Sequence, residues 1–214
     1  MTPTQILGFL LGTAFASGLN LYASVAALGL LHRYHFITLP ESLQVLADPW
    51  VLGIAIVLYF VEFVADKVPW LDSAWDVVHT FIRPPAAALL AYATVGNVPE
   101  AWRLAAGLIA GGVALTSHTA KASTRAAANT SPEPFSNWVL SLAEDGIAVT
   151  LVWLATTHPI VTMFIVAVLA ALAIFVIIKL FGILRRVLRR VFGRGSAGRG
   201  SAPISPPAVP PARV

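Results

Sequence analysis

Between Val61 and Pro84 the chain reads VEFVADKVPWLDSAWDVVHTFIRP, placing Glu62, Asp66, Asp72, Asp76, Lys67, His79 and Arg83 in one run with apolar sequence on both sides. Carboxylates and imidazoles take up and release protons, oxygen ligands in pairs can hold a cation, and a guanidinium can hold an anionic group. Spacing narrows the choice. Asp72, Asp76, His79 and Arg83 recur at i, i+4, i+7 and i+11, which on a helix makes one stripe. Glu62 and Asp66 share a face at i, i+4, and His118, Lys121 and Arg125 share another at i, i+3, i+7. Glu144 and Asp145 stand inside a later apolar run, and Ser17 and Asn20 inside the first. These thirteen residues other than Lys67 are the candidates for binding a substrate or a coupling ion.

The elements that must position them are membrane helices. Apolar residues make up 57% of the chain and charged residues 11%, against roughly a quarter charged in soluble domains. A charge at helix-centre depth costs at least about 2.5–3.5 kcal/mol, so such groups turn toward one another, backbone or water, away from lipid. Cysteine is absent, which removes disulfides, thiol nucleophiles and thiolate metal sites. With about 20 apolar residues needed per crossing, six segments qualify: Gln5–Leu31, Trp50–Ala65, Ala74–Val95, Ala101–Arg125, Trp138–Thr157 and Ile160–Gly182. The fold expected is all-α, a polytopic transmembrane helical bundle of about six spans with interrupted or kinked helices. No charge precedes the first apolar run, which reads as an uncleaved span. The third segment must recruit WDVVHTFIR to be long enough, and Pro84–Pro85 should then kink or break it.

Residues 1–184 form the membrane domain in this reading, and 185–214 a basic and then Pro/Gly/Ser-rich disordered tail. Seven of the fourteen Lys and Arg lie from Arg185 onward, where no acid stands; the body before them has seven bases against ten acids. Arg185, Arg186, Arg189 and Arg190 read as a stop-transfer anchor on anionic headgroups and place the C-terminus in the cytoplasm. An even number of spans puts the N-terminus there too. Expected partners are membrane lipids and a small ion or anionic substrate, with association into homo-oligomers open. Neither a cofactor nor nucleic acid is expected.

Gly8–Ser24 placed over Gly107–Ser123 pairs Gly8 with Gly107, Gly12 with Gly111, Ala23 with Ala122 and Ser24 with Ser123. PWVL at Pro49 and NWVL at Asn137 then open corresponding spans. One reading is a 3+3 inverted repeat over 5–95 and 101–183, with interruptions near Ser17, Gly18 and Asn20 and near Thr116, Ser117 and His118. The other is that Gly-x-x-x-Gly spacing packs helices closely. Bland alternatives stand beside the rest: Asp66, Lys67 and Asp72 as a solvated turn around Pro69, Lys121 and Arg125 snorkelling to the interface, Arg83 with Glu144 as a structural ion pair. NTSPEPFSN reads as a turn capped by Ser136 or Asn137, with Glu133 over a cavity mouth.

The runs EFVADKVPWLDSAWD, SHTAKASTR and SPEPFSN followed by SLAED resemble those of a bacterial integral membrane family, domain of unknown function 4126, over roughly Gly8–Gly182. That resemblance implies a multi-span membrane domain and carries no catalytic role to any residue. The leading expectation is a transporter or channel-like permease with a polar, cytoplasm-facing intramembrane cavity, coupled to protons or cations and handling an anionic substrate. The alternatives are an intramembrane enzyme acting on a lipid phosphate and a non-catalytic scaffold. The enzyme lacks support from the arginine-proline, PSGH and later histidine set of lipid phosphatases, or from the aspartate array of phosphatidyl-alcohol transferases.

Overall fold

The structure, a computed structural model, describes residues 1–96, 98–130 and 134–193, and among these the regular elements are all helical. Thr2 and Gln5 close a capping box at the start of α1, Pro3–Leu19. Asn20 then breaks the helix. Its backbone is extended (φ −148°, ψ 105°), its Oδ1 accepts from the Ala23 amide at 2.9 Å, and α2, Leu21–Arg33, starts anew. The interruption expected in the first span is therefore present, because asparagine can end one helix and cap the next. A 3-10 helix, Glu41–Ala47, leads to Asp48, which caps α3, Pro49–Ala65, by accepting from the Trp50 amide at 2.8 Å.

The third expected span is also divided, into α4, Pro69–Thr80, and α5, Arg83–Thr94. Pro84 and Pro85 fall in the first turn of α5, where a missing N–H costs no helical hydrogen bond; in mid-helix each would remove one. Three further helices follow: α6, Glu100–Ala128, α7, Pro134–Thr157, and α8, Pro159–Gly193. The interruption expected at Thr116–His118 does not occur. Thr116 bonds back to the Gly112 carbonyl at 2.8 Å and α6 runs on unbroken, since neither hydroxyl competes with its own turn strongly enough to end it. Nor does Ser136 or Asn137 cap α7, which opens on Pro134, a residue suited to the first helical turn. Glu133 and the tail from Arg194 lie outside the described residues, whereas the basic stretch from Arg185 continues α8 as helix.

Among the described residues two helical segments are long and apolar enough to cross a membrane, Phe135–Thr157 and Pro159–Arg186. A third is added if the 3-10 helix and α3, bent by 63°, count as one span; α1 is apolar but shorter. The described residues up to Leu180 form one compact unit, and those from Phe181 belong to a second. Within the first, α1 is central. Phe9, Phe15 and Leu19 pack with Leu28, Leu151, Val152 and Val166, while Leu10 and Ala14 pack with Ala87, Ala91, Ala110 and Ala114. Beyond its exposed first turns, α1 is buried from Gly8 to Leu19 save for half-buried Leu11, and that stretch has no polar stripe, as a helix surrounded by others should not.

Glycines allow the close approach. A Cβ at Gly8 would overlap Pro159, at Gly12 Thr162 and Ala155, and at Gly18 Ser117 Oγ and the Ala114 carbonyl. Gly18→Ala is expected to lower stability by about 1–3 kcal/mol through overpacking. Gly53→Ala, where the new methyl meets nothing within 4 Å, should leave it intact. Thermal unfolding in detergent compares them; equal midpoints would show that the α1–α6 contact is loose.

Candidate functional site: a buried ion-pair cluster

The break at Asn20 leaves the last carbonyls of α1 without helical partners, and cations from two other helices take them. Arg83 Nη1, at the start of α5, donates to the Gly18 carbonyl at 2.9 Å, and Lys121 Nζ on α6 donates to the Leu19 carbonyl at 3.1 Å. Both bases also bind Glu62 Oε1 of α3, Lys121 at 3.1 Å and Arg83 through Nη2. One turn on along α6, Arg125 Nη2 lies 2.8 Å from Asp66 Oδ2 and 2.6 Å from Glu144 Oε2, with Nη1 3.5 Å from Asp72 Oδ1. Lys121 bridges the two groups, 3.5 Å from both Asp66 and Glu144. Ser141 donates to Asp66 Oδ2 at 3.3 Å, and Asn129 to Asp72 Oδ2 at 3.0 Å.

Two carboxyls stand apart from the ion pairs. Asp145 accepts from Asn20 Nδ2 at 2.8 Å and from the Tyr59 hydroxyl at 3.3 Å. Asp76, 5% exposed, takes part through its main-chain carbonyl, which receives His118 Nε2 at 3.1 Å and the Thr80 hydroxyl at 2.9 Å.

Geometry assigns the histidine tautomers. Arg83 Nη1 lies 3.0 Å from His118 Nδ1, and a guanidinium only donates, so Nδ1 is the acceptor and the proton is on Nε2. His118 is held neutral. His79 Nδ1 lies 2.8 Å from the Trp75 carbonyl and donates, leaving Nε2 to accept from the Tyr22 hydroxyl at 3.1 Å. The Thr80 hydroxyl also lies 2.9 Å from His118 Nε2, but the acceptor nitrogen of His118 faces a guanidinium, which cannot reverse its role, whereas that of His79 faces the Tyr22 hydroxyl, which can.

All thirteen candidate residues are buried. Asp72, Asp76, His79 and Arg83 do not share one helix, since the chain breaks at Phe81 and Ile82; Asp72, Arg83 and the main-chain carbonyl of Asp76 meet residues of α6 or its end, while His79 turns to Tyr22 of α2. Arg83 does not pair with Glu144: Glu62 lies closer to the start of α5, and Glu144 meets Arg125. Asp66 and Asp72 are not a solvated turn, and Lys121 and Arg125 do not snorkel, because each binds buried partners. Lys67 in that turn is half-buried, donating to the Phe63 carbonyl at 2.7 Å, and burial pushes its ammonium pKa down. Ser17 is buried on α1, and its Oγ, like Glu62 Oε2 and Arg83 Nε, has no hydrogen-bond partner among the described residues. Among the described residues no three of His, Cys, Asp and Glu converge to hold a metal ion: Glu62, Asp66 and Asp72 are turned to bases, and Asp76 pairs with none.

Tyr22, Tyr59, Thr80, Asn129 and Ser141 escaped the sequence reading. Three were within reach of it: Tyr59 stands one turn before Glu62, Asn129 one turn after Arg125 and Ser141 one turn before Glu144, so each stripe extended by a turn includes its partner.

Regular structure that is all helical among the described residues, with apolar membrane-length helices and a charged interior shielded from its surroundings, is the organisation of an integral membrane protein. Residues 7–179 match the domain of unknown function DUF4126, and the chain belongs to that family. The match takes in every residue of the cluster and ends before the basic stretch of α8. No curated protein and no solved structure matches the chain.

Removing one partner of a buried pair strands the other, at about 3–5 kcal/mol. Glu62→Gln, which leaves Arg83 with no carboxylate and Lys121 with only its two longer contacts to Asp66 and Glu144, is expected to destabilise more than Asp72→Asn, whose base keeps two close carboxylates. Replacing Glu62 and Arg83 together by Leu and Met should recover part of the loss. Unfolding midpoints of the single and double variants check this; additive losses would mean the pair is not coupled.

Proposed function

We propose that this chain is a six-span membrane permease whose charged interior binds protons as part of solute movement. The observation that supports it is the charge balance. Arg83, Lys121 and Arg125 face six buried carboxyls, Glu62, Asp66, Asp72, Asp76, Glu144 and Asp145, a deficit of three positive charges if all ionise. The four other acids and four other bases of the body cancel, so its whole negative excess resides in this cluster. Unbalanced charge is not tolerated in a low-dielectric interior, and neutralisation by protonation is its ordinary resolution. Protons are favoured over metal cations because no cluster of metal ligands forms among the described residues. The three bases are engaged by carboxylates in this state, so an anionic substrate would reach Arg83 or Arg125 only by displacing Glu62 or Glu144.

Six crossings are supported by the broken pairs α1/α2 and α4/α5, each interrupted over one or two residues, and by α6, whose 29 residues rise about 43 Å. Helices broken beside a buried ionisable site are a recurring transporter arrangement. Cytoplasmic termini fit the basic stretch after the last apolar segment. For an inverted repeat there is the shared presentation of a Gly-x-x-x-Gly pair by α1 and α6. Their partners differ in direction: Gly8 and Gly12 meet Pro159 and then Thr162, while Gly107 and Gly111 meet Ala88 and then Pro84. Close packing accounts for both pairs.

Arg83→Gln and Glu144→Gln are expected to abolish solute flux in proteoliposomes while the protein still inserts. A panel of radiolabelled organic acids, bases and inorganic ions, driven by an imposed pH gradient, checks this. Unchanged flux in both variants, or flux insensitive to the gradient, overturns the reading.

A further inference from the structure

Four of the six buried carboxyls are held by bases; Asp76 and Asp145 are not. Of these two, Asp145 sits in a setting that satisfies both of its protonation states. As a carboxylate, it accepts from Asn20 Nδ2 on Oδ1 at 2.8 Å and from the Tyr59 hydroxyl on Oδ2 at 3.3 Å. As a carboxylic acid, it keeps the Asn20 bond on its carbonyl oxygen, while Oδ2–H donates to the Tyr59 oxygen once that hydroxyl has rotated. Asparagine cannot reverse in this way, and a phenol can. Which oxygen carries the proton is thereby decided.

Asn20 links this carboxyl to the backbone. Its Oδ1 caps α2 through the Ala23 amide while its Nδ2 holds Asp145, so one side chain joins the α1/α2 break to α7. An ionised acceptor makes a hydrogen bond roughly twice as strong as a neutral one. Protonating Asp145 therefore weakens the tie to Asn20 and leaves the cap intact.

We propose that Asp145 is a reversible proton-binding site, with the proton on Oδ2 shared with Tyr59, and that its occupancy governs how firmly α7 is joined to the α1/α2 break. One proton from solvent adds to Oδ2, the Tyr59 proton stays on its oxygen and turns away, and no bond to carbon changes. The charged and titratable groups facing the site are Tyr59 and Glu62 of α3, Asp66 and Lys67 of the turn, Lys121 of α6 and Glu144 beside it. Only the coupling of this proton to solute rests on the permease reading; the binding itself does not.

Infrared difference titration of the full chain in liposomes tests it. A protonated-carboxyl band is expected to grow as pH falls, with a component lost in Asp145→Asn, shifted in Tyr59→Phe and retained in Asp76→Asn. Asp145→Glu, which keeps a carboxyl, is expected to restore a band in the same region. The Asp145→Asn side chain retains a carbonyl and the size of the original, and Tyr59→Phe covers the case in which it misfolds. A band unchanged in both Asp145→Asn and Tyr59→Phe, or lost only in Asp76→Asn, overturns the assignment. Flux measured on the same liposomes separates the two proposals. A band that follows Asp145 with no flux of any solute refutes the permease and keeps the site; pH-driven flux with no Asp145 component refutes the site and keeps the permease.

Discussion

Glu62 has no exposure to solvent, and a single oxygen of its carboxylate receives Arg83 and Lys121 together. In an interior that cannot solvate charge, neither base can be left alone, and neither can the acid. Their meeting requires α3, α5 and α6 to approach at one depth, and the same two bases then close the broken end of α1 through the Gly18 and Leu19 carbonyls. One anion and two cations thus tie four helices together at a single point.

The broken helices belong to the same arrangement. An intact α1 would have satisfied its own carbonyls and offered nothing to Arg83 or Lys121. Asn20 interrupts it, and the negative end of the α1 dipole comes to lie against cations. Pro84 and Pro85 have a matching effect on the other side: by starting a new helix at Arg83 they place the guanidinium at a helix start, free to turn toward the centre. Apolar packing around α1 fills the remaining space, with glycines where backbones approach most closely.

Buried ion pairs are poor stabilisers compared with apolar groups of the same size, because desolvation offsets most of their attraction. A cluster with twice as many acids as bases is less favourable still unless some of the acids are neutral. Its presence at the centre of the fold is therefore difficult to explain by stability alone, and the uneven distribution of partners separates the carboxyls into two sets. Glu62, Asp66, Asp72 and Glu144 are anchored by bases, while Asp76 and Asp145 are left to hydrogen bonds or to none. The first set holds helices together; the second has no base beside it to hold it ionised.

Helical periodicity and intramembrane charge were readable from residue order, because a charge inside an apolar run has few places to go. That made all thirteen candidates recognisable as interior groups, made the breaks at Asn20 and before Pro84 foreseeable from capping and from the missing proline donors, and carried the family resemblance. Pairing was not readable. Arg83 lies as close in sequence stripe to several acids, and nothing local chooses Glu62 over Glu144; that choice depends on where α5 enters the bundle. The same holds for the tyrosines, whose hydroxyls look like ordinary interfacial groups until His79 and Asp145 are brought to them. Spacing along a helix settles which side chains share a face, but which faces meet is a property of packing between distant segments, and only the folded chain brings those segments together.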